Sequence, residues 1–316
     1  MSEKKLVATR EVYGKTLVEL GKENPNIVVL DADLAGSTKT SMFAKEFPDR
    51  FFNLGVAEQD MIGTAAGLAA CGKTVFASTF AVFGSGRAWD QVRMCMAYAR
   101  LNVKLVVTHS GITTGEDGAS HQANEDIAIM RALPNMTVIV PADGIETGKV
   151  IREAASFYGP MYIRLSRPKT PLVYKNDKFD FKIGQGVVMR PGRDVTIIAC
   201  GLMVDKAMAA AEELKKEKID CRVVNLHTVK PIDKELIIKC AEETGAVVTA
   251  EEHSIIGGLG GAVAEVIVEN GCVPMVRVGI KDMFGESGKP DELLIKYGLT
   301  PQSIINAVKA VVKRKK

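Results

Sequence analysis

Several features that would direct a chain to a membrane or to nucleic acid are missing from this sequence. No run of about 18 apolar residues occurs, so no membrane-spanning helix is predicted. The opening MSEKKLVATR lacks an apolar core, which argues against a secretory signal peptide. The net charge is only +3 over 316 residues. We therefore expect neither a nucleic-acid-binding nor a membrane-binding surface.

Short metal and dinucleotide motifs are also missing. The six cysteines form no CxxC pair, which excludes a zinc knuckle and a dithiol redox motif. Most lie in apolar stretches, which predicts buried, reduced thiols and a cytoplasmic location. The string EEHSIIGGLGG, from Glu251, does not match GxGxxG because Val263 replaces the last glycine. It indicates tight strand-to-helix packing.

What the sequence does contain is the alternation of an α/β protein. Apolar residues make up 47% and charged residues 25% of the chain, as in soluble globular proteins. Continuous apolar strands between amphipathic helices predict two consecutive domains, each a mostly parallel sheet sandwiched by helices. The expected divisions are residues 1–170, a linker at 171–193 rich in Pro and Gly, and residues 194–316. The predicted strands are Ile27–Leu30, Lys73–Ala77, Val103–Thr108, Met136–Val140, Tyr162–Leu165, Val195–Ala199, Arg222–Leu226, Ala246–Ala250 and Met275–Val278.

Ligands bind beyond the carboxyl ends of parallel strands, so the loops at these ends are the candidate sites. The most unusual loop is HSGITTGEDGASHQ, which places His109 and His121 with Glu116 and Asp117 among glycines. This composition favours a functional site. The histidines lack the spacing of a HExxH zinc site, and binding of a polyhydroxylated or phosphorylated substrate fits equally well.

Other candidate residues have two interpretations each. Glu58 opens a helix rich in Gly and Ala, where an acid usually serves only the helix dipole. Phe80 and Phe83 are typical of a core, but the following Gly-Ser-Gly predicts a loop and an aromatic stacking surface. The aspartates Asp31 and Asp33 follow the first strand and suit either a cation or a helix cap.

These segments, in this order, resemble the pyrimidine-binding and C-terminal domains of transketolase over almost the whole chain. GVAEQDM resembles the family's glutamate motif and STFAVF its aromatic strip. GEDGASHQ is similar to the family's GEDGPTHQ, and PADG and LSR follow at the expected distances.

The resemblance implies that the chain uses thiamine diphosphate. Glu58 would hydrogen-bond the ring nitrogen of the aminopyrimidine, and Phe80 and Phe83 would stack on or flank that ring. Asp33 would lie near the thiazolium side. The full-length enzymes often carry a third aromatic residue where this chain has Gly86.

The resemblance also implies a sugar-phosphate substrate. His109 and His121 would bind hydroxyl groups or the phosphate end and act in proton transfer, and Asp117 would read the hydroxyl next to the donor carbonyl. The phosphate contacts would be made by Arg10, Ser37, His109 and Arg167. Arginine suits this role because its guanidinium meets phosphate oxygens bidentately.

The part of transketolase that is missing here implies a partner. The family holds the diphosphate through Mg²⁺, or Ca²⁺, with a GDG motif followed by asparagine, and this chain has no GDG. A whole transketolase is also about twice as long. We therefore expect a separate N-terminal subunit that holds most of the metal site, in an α2β2 assembly with cofactors at the interfaces.

Three alternatives share parts of this pattern. The β subunit of 2-oxoacid dehydrogenases has the same two-domain layout, but it has no phosphosugar to explain Arg10, Asp117 and Arg167. A 1-deoxyxylulose-5-phosphate synthase-like enzyme needs phosphate contacts, but usually has Ala-Asp-Gly in place of Glu-Asp-Gly. A non-catalytic paralogue would have no physical need for Glu58 together with the histidines. A split transketolase is therefore the preferred interpretation.

Overall fold

The computed structural model describes residues 5–315, which alternate short strands with helices. Most strands of the sheets are runs of buried apolar residues, as expected for strands covered on both faces. The strands are β1 (Leu6–Ala8), β2 (Ile27–Asp31), β3 (Phe51–Asn53), β4 (Thr74–Phe80), β5 (Val103–Thr108), β6 (Thr137–Ile139), β7 (Met161–Arg164), β8 (Lys169–Pro171), β9 (Val187–Arg190), β10 (Val195–Ala199), β11 (Cys221–Asn225), β12 (Thr228–Lys230), β13 (Val247–Ser254) and β14 (Met275–Ile280). The α-helices are α1 (Thr9–Glu23), α2 (Ala35–Thr38), α3 (Ser41–Glu46), α4 (Glu58–Ala70), α5 (Trp89–Gln91), α6 (Asp126–Arg131), α7 (Gly144–Ser156), α8 (Met203–Lys216), α9 (Lys234–Thr244), α10 (Leu259–Asn270), α11 (Pro290–Lys296) and α12 (Pro301–Val312).

The first sheet has the strand order β12-β6-β7-β5-β4-β2-β3. All neighbouring pairs are parallel except β12, which runs antiparallel to β6. Helices α1 and α7 cover one face, where Leu17 and Val150 join the core with Phe76. Helix α4 covers the other face through Met61 and Ile62.

The second sheet has the order β14-β13-β10-β11-β9. Only β9, which lies within the predicted linker, is antiparallel to its neighbour in this sheet. Helices α8 and α12 cover one face and α9 and α10 the other. The predicted fold class, two consecutive α/β units with mostly parallel sheets, is confirmed.

The two halves of the chain share one sheet and one hydrophobic core. Strand β12 comes from the second half of the chain but adds an edge to the first sheet, where Thr228 pairs with Ile139. One hydrophobic cluster runs from Val138 of β6 to Ile198 and Leu226 of the second half. The second half therefore builds part of the scaffold under the first sheet's loops.

Several predicted element boundaries are wrong in ways that matter for the site. Phe80 ends β4 instead of lying in the following loop, and β13 continues through Glu251 and Glu252 to Ser254. The predicted Gly-Ser-Gly loop at residues 84–86 is helical, with the wide turn of a π-helix over Phe83–Arg87. Glycine allowed a loop here but did not enforce one, because the segment packs on β4 and β5.

All six cysteines are free. Cys200, Cys221 and Cys240 are buried as predicted, whereas Cys71 and Cys272 are exposed. Among the helices in residues 5–315, none combines the length and apolar character that a membrane span needs.

Candidate active site

Loops that follow four adjacent strands meet at one edge of the first sheet. Strands β2, β4, β5 and β7 are parallel neighbours, so their carboxyl ends lie side by side. Asp33 follows β2, Phe83 follows β4, His109 follows β5 and Arg167 follows β7. The topology thus gathers the loops that the sequence singled out.

Glu58 is the first residue of α4 and only 1% of it is exposed. The amino end of a helix favours an anion at this position. The Arg87 guanidinium pairs with it, because Nη1 donates to Oε1 at 3.1 Å and to Oε2 at 3.0 Å. The Arg87 side chain is 48% exposed. The site therefore contains a buried carboxylate held by a cation that reaches solvent, a partner that the sequence did not predict.

Four aromatic rings form one cluster beside Arg87, the residue that pairs with Glu58. Phe80 stacks on the imidazole of His109 with centroids 3.8 Å apart, and on Phe83 at 6.1 Å. His121 meets the Phe83 ring edge-on at 5.2 Å. The fold therefore brings together both phenylalanines and both histidines of the predicted site, which lie up to 41 positions apart in the sequence.

Arg87 ends the π-helical turn that Phe83 begins. Side chains four positions apart are neighbours on a helix surface. The Arg87 guanidinium carbon is 4.5 Å from the centroid of the Phe83 ring. The turn is held by the Ser85 hydroxyl, which donates to the Ala81 carbonyl at 2.7 Å. Arg87, not a third aromatic ring, covers this side of Phe83.

His109 is buried, with 4% exposed, in a left-handed conformation with φ of 56°. Its Nδ1 lies 2.9 Å from the Thr108 hydroxyl, and its carbonyl accepts from the Thr114 hydroxyl at 2.7 Å. Burial, followed by the charges of Arg10 and Arg167, lowers the pKa of His109 to about 3. His109 is therefore a neutral imidazole at pH 7, able to donate or accept one hydrogen bond from its free ring nitrogen.

Two arginines make this end of the site positive. Arg10 Nη1 donates to the Ser37 carbonyl at 2.8 Å, and its buried Nε has no partner. Burial, followed by the charge of Arg167, lowers the pKa of Arg10. A buried N–H of Arg10 that has no acceptor, with the positive charge of Arg167 nearby, fits an anionic ligand. Ser37 contributes its backbone carbonyl to this contact.

The loop from Gly111 to Gly118 carries Asp117, which is exposed. Residues Ile112–Asp117 form a 3₁₀ segment, interrupted at Gly115, where φ is 81°. Arg167 Nη1 donates to the Thr114 carbonyl and to the Glu116 carboxylate, both at 2.6 Å. Arg167 therefore holds the loop, and its half-buried guanidinium is one of the two charges that make this end of the site positive.

A buried polar cluster supports this loop from below, and the sequence did not predict it. Glu252 of β13 accepts from the Thr113 amide at 2.7 Å. Arg164 donates to the Glu252 carbonyl at 3.0 Å and to the Asp126 carboxylate at 2.7 Å. The second half of the chain thus fixes a loop of the first. The only sequence signal is the run of acids in EEHS, which belongs to a string that indicates strand-to-helix packing.

The glycines of that EEHS string have the packing role that the sequence indicated. Glu251 is fully buried and accepts from the amides of Leu259 and Gly260 at 2.6 and 2.8 Å. A side chain on Gly258 would lie 2.1 Å from the Glu251 carboxylate. The start of α10 therefore binds an internal carboxylate.

Asp33 is exposed, and its hydrogen bonds are with Asn53 and not with the aromatic cluster. Its carboxylate accepts from the Asn53 side-chain amide at 3.0 Å, and its backbone has φ of 62°. Asp31, by contrast, is buried and binds the hydroxyls of Thr38 and Thr40 at 2.7 and 2.8 Å. Of the two aspartates, Asp31 holds the loop together and Asp33 remains available to a ligand.

The donor set at this edge fits an aminopyrimidine ring. Aromatic faces at Phe80 and Phe83 lie beside a buried carboxylate, Glu58, which suits a flat heterocycle with a hydrogen-bonding nitrogen. The residues present do not offer comparable ligands for a metal-bound diphosphate. Within residues 5–315, no three His, Cys, Asp or Glu side chains are grouped as metal ligands. The fold and site define a two-domain α/β protein with a strand-edge site for a flat cofactor ring and an anion.

Comparison with known proteins narrows this class. Residues 5–173 match the family model "Transketolase, pyrimidine binding domain", and residues 184–304 match "Transketolase, C-terminal domain". The chain belongs to the transketolase family, whose members depend on thiamine diphosphate.

Individual relatives share almost their whole length with this chain. It is 57% identical over 307 residues to a protein of Methanocaldococcus jannaschii named as a transketolase C-terminal section, covering 96% of each chain. It is 46% identical to a 6-deoxy-6-sulfo-D-fructose transketolase subunit of Clostridium sp. (strain MSTE9), covering 97% of this chain and 95% of the relative. A solved structure described as "Split gene transketolase, inactive beta4 tetramer" superposes with a TM-score of 0.92 at 55% identity. The match covers 98% of this chain and 100% of the solved chain.

Proposed function

We propose that this chain is the C-terminal subunit of a split transketolase, which transfers a two-carbon ketol unit from a ketose phosphate to an aldose phosphate with thiamine diphosphate. The observation that carries the proposal is the meeting of Glu58, Phe83 and His109 with two arginines at one strand edge. Aromatic rings and a carboxylate suit the cofactor, and the arginines suit the substrate phosphate.

Glu58 is proposed to share a hydrogen bond with the ring nitrogen of the aminopyrimidine, while Phe80 and Phe83 stack on or flank the ring. Because Glu58 is 1% exposed, water does not compete for that hydrogen bond. When bound, thiamine diphosphate supplies the nucleophilic carbon and the electron sink for the carbon–carbon bond change. Asp33, exposed after β2, is proposed to lie near the thiazolium side.

Sugar recognition is assigned to the two histidines and Asp117. Neutral His109 donates or accepts a hydrogen bond at a substrate hydroxyl, because its pKa of about 3 keeps it uncharged at pH 7. His121 is half-buried, with Nδ1 2.9 Å from the Ser120 hydroxyl, and its other nitrogen is assigned to proton transfer. Exposed Asp117 reads the hydroxyl beside the donor carbonyl.

The substrate phosphate is proposed to bind between Arg10 and Arg167, with Ser37 and His109 beside it. The partnerless Nε of Arg10 supports this proposal, since a phosphate oxygen would satisfy it. A sulfonate has the same charge-bearing oxygens, and one relative is named for a sulfosugar. A 6-sulfo ketose is therefore the second candidate donor.

A separate N-terminal subunit is proposed to complete the site with the diphosphate-binding domain and its Mg²⁺ or Ca²⁺, in an α2β2 assembly. Two observations support it: this chain has no GDG motif, and relatives of equal length are named as a C-terminal section and a subunit. The similar solved structure without such a partner is described as inactive.

The test is reconstitution with a candidate N-terminal subunit, Mg²⁺ and thiamine diphosphate. We expect ketol transfer from xylulose 5-phosphate to ribose 5-phosphate by the pair and none by either chain alone. Glu58→Gln should slow transfer by about 10²- to 10⁴-fold, the usual contribution of a positioned acid–base group. The control is Asp60→Asn, an exposed acid in the same helical turn.

Different outcomes point to different enzymes. Pyruvate decarboxylation without ketol transfer would favour a 2-oxoacid dehydrogenase β subunit. Condensation of pyruvate with an aldose phosphate would favour a 1-deoxyxylulose-5-phosphate synthase-like enzyme. Transfer unaffected by Glu58→Gln would remove that residue from the mechanism.

A further inference from the structure

Arg87 makes two contacts that the proposed mechanism reserves for the cofactor. Its Nη1 donates to both oxygens of Glu58 at 3.1 and 3.0 Å. Its planar guanidinium also lies over the Phe83 ring, 4.5 Å from the centroid. The aminopyrimidine ring is likewise planar, and in the proposed function it bonds to Glu58 and stacks on or flanks Phe83.

From this coincidence we infer that Arg87 is a placeholder for the aminopyrimidine: it occupies the ring's position in the unassembled chain and leaves when cofactor and partner bind. This inference rests on the proposed function. It adds that cofactor binding is a replacement of one Glu58 partner by another, and it makes Arg87 a residue that sets the apparent affinity for the cofactor.

Charge explains why a placeholder is useful. Glu58 is almost completely removed from water, and a buried charge without a partner is strongly destabilising. Arg87 neutralises this charge in the chain before assembly. Guanidinium is suited to the task because it is weakly hydrated and stacks on aromatic faces.

Exposure explains how Arg87 can leave. Its side chain is 48% exposed while Glu58 is 1% exposed, so the arginine reaches the pair from the solvent side. Moving it out requires only rotation of a flexible side chain, because within residues 5–315 its side chain bonds to Glu58 and packs over Phe83. The arriving ring then supplies the stacking surface that Arg87 gives up, and Glu58 would take up a proton from solvent so that it can donate a hydrogen bond to the ring nitrogen.

Arg87 could instead be a positioning residue, and its removal would then change the cofactor affinity in the opposite direction. A positioning residue would stay paired in the loaded enzyme and hold Glu58 in place, so its removal would weaken cofactor binding. A placeholder competes with the cofactor, so its removal strengthens binding. Arg87→Met separates the two cleanly, because it keeps an aliphatic stem on Phe83 but cannot bond Glu58.

The experiment is titration of thiamine diphosphate with Mg²⁺ into the reconstituted pair, followed by the fluorescence of Trp89, the single tryptophan of this chain, and by calorimetry. If Arg87 occupies the site in about three-quarters to nine-tenths of molecules, removing it lowers the apparent Kd roughly four- to tenfold, since affinity scales with the open fraction. We expect this for Arg87→Met and Arg87→Ala. Arg87→Lys, which keeps a charge for Glu58, should fall between them and the unaltered pair.

Arg93→Ala is the matched control, because Arg93 is an exposed arginine on the same segment whose recorded hydrogen bond is to Met94. It should leave the Kd unchanged, and thermal unfolding of every variant should show intact folding. An unchanged or raised Kd in Arg87→Met, with the unaltered pair binding and transferring, would overturn the placeholder alone. Failure of every pair to bind the cofactor would overturn both the placeholder and the proposed function.

Discussion

Glu252 offers a test of how the second half of the chain supports the candidate site. It is 4% exposed and its carboxyl accepts from the Thr113 amide at 2.7 Å. Burial raises its pKa from the ordinary 4.5 to about 7, an effect that Asp126 strengthens and that Arg164 and the Thr113 hydrogen bonds oppose. The folded protein therefore binds this proton more tightly than the unfolded chain does.

The sign of the pH dependence follows from linkage. Below pH 4.5 the group is protonated in both states and its contribution to stability is complete. As the pH rises towards 7, the unfolded chain ionises first, so stability falls until the folded protein ionises too. The difference between about 7 and 4.5 corresponds to about 3 kcal/mol lost by pH 8.

Glu252→Gln removes this ionisation but keeps an oxygen for the Thr113 amide. Linkage gives a gain in stability of about 1 kcal/mol at pH 5 and about 3 kcal/mol at pH 8 relative to the unaltered chain. For a chain of this size this is a rise in Tm of about 1.5 °C at pH 5 and about 5 °C at pH 8. Scanning calorimetry at both pH values measures it.

The control is Glu242→Gln, an exposed glutamate of α9, which should leave Tm unchanged at both pH values. A lower Tm for Glu252→Gln at pH 8 would refute the reasoning, because it would show that Arg164 makes the ionised form of Glu252 more favourable in the folded protein than in the unfolded chain. Glu252→Ala should give a lower Tm than Glu252→Gln at both pH values, since the Thr113 amide then has no acceptor.

Two further predictions concern charged groups. Asp126→Asn should destabilise the protein by about 3–5 kcal/mol, because Arg164 keeps a buried charge without its counter-ion; calorimetry should show a fall in Tm that Asp60→Asn does not. Arg167→Ala should lower kcat/KM of the reconstituted pair for a ketose phosphate by about 10- to 150-fold, the value of a charge-assisted hydrogen bond. The same ketose without phosphate should lose far less, and equal losses for both would contradict the phosphate assignment.

Local patterns in the sequence were sufficient for much of the fold. The predicted strand Val195–Ala199 matches β10, and Val103–Thr108 matches β5, because buried parallel strands need continuous apolar runs. The same strands located the loops that meet at the site edge. The aromatic cluster of Phe80 with His109 follows from this topology, since neighbouring parallel strands end together.

Other features had no local signal. The π-turn at Phe83–Arg87 packs against β4 and β5, and Arg87 at its end pairs with Glu58. Strand β13 continues past Ala250 through a register shift to Ser254, which pairs with Ile280 of β14, and no residue of EEHS encodes this pairing by itself. Strand β12 joins the first sheet through a crossover from the other half of the chain.

The sequence by itself determined the two α/β units, the family to which they belong and the residue types available for a flat cofactor and an anion. Periodicity and motifs carry this information because they act over a few neighbouring positions. Only the tertiary structure decided which charges compensate each other: Arg87 with Glu58, and Arg164 with Asp126. The physical reason is that a buried charge requires a partner close in space, and distance along the chain does not determine which residue that partner is.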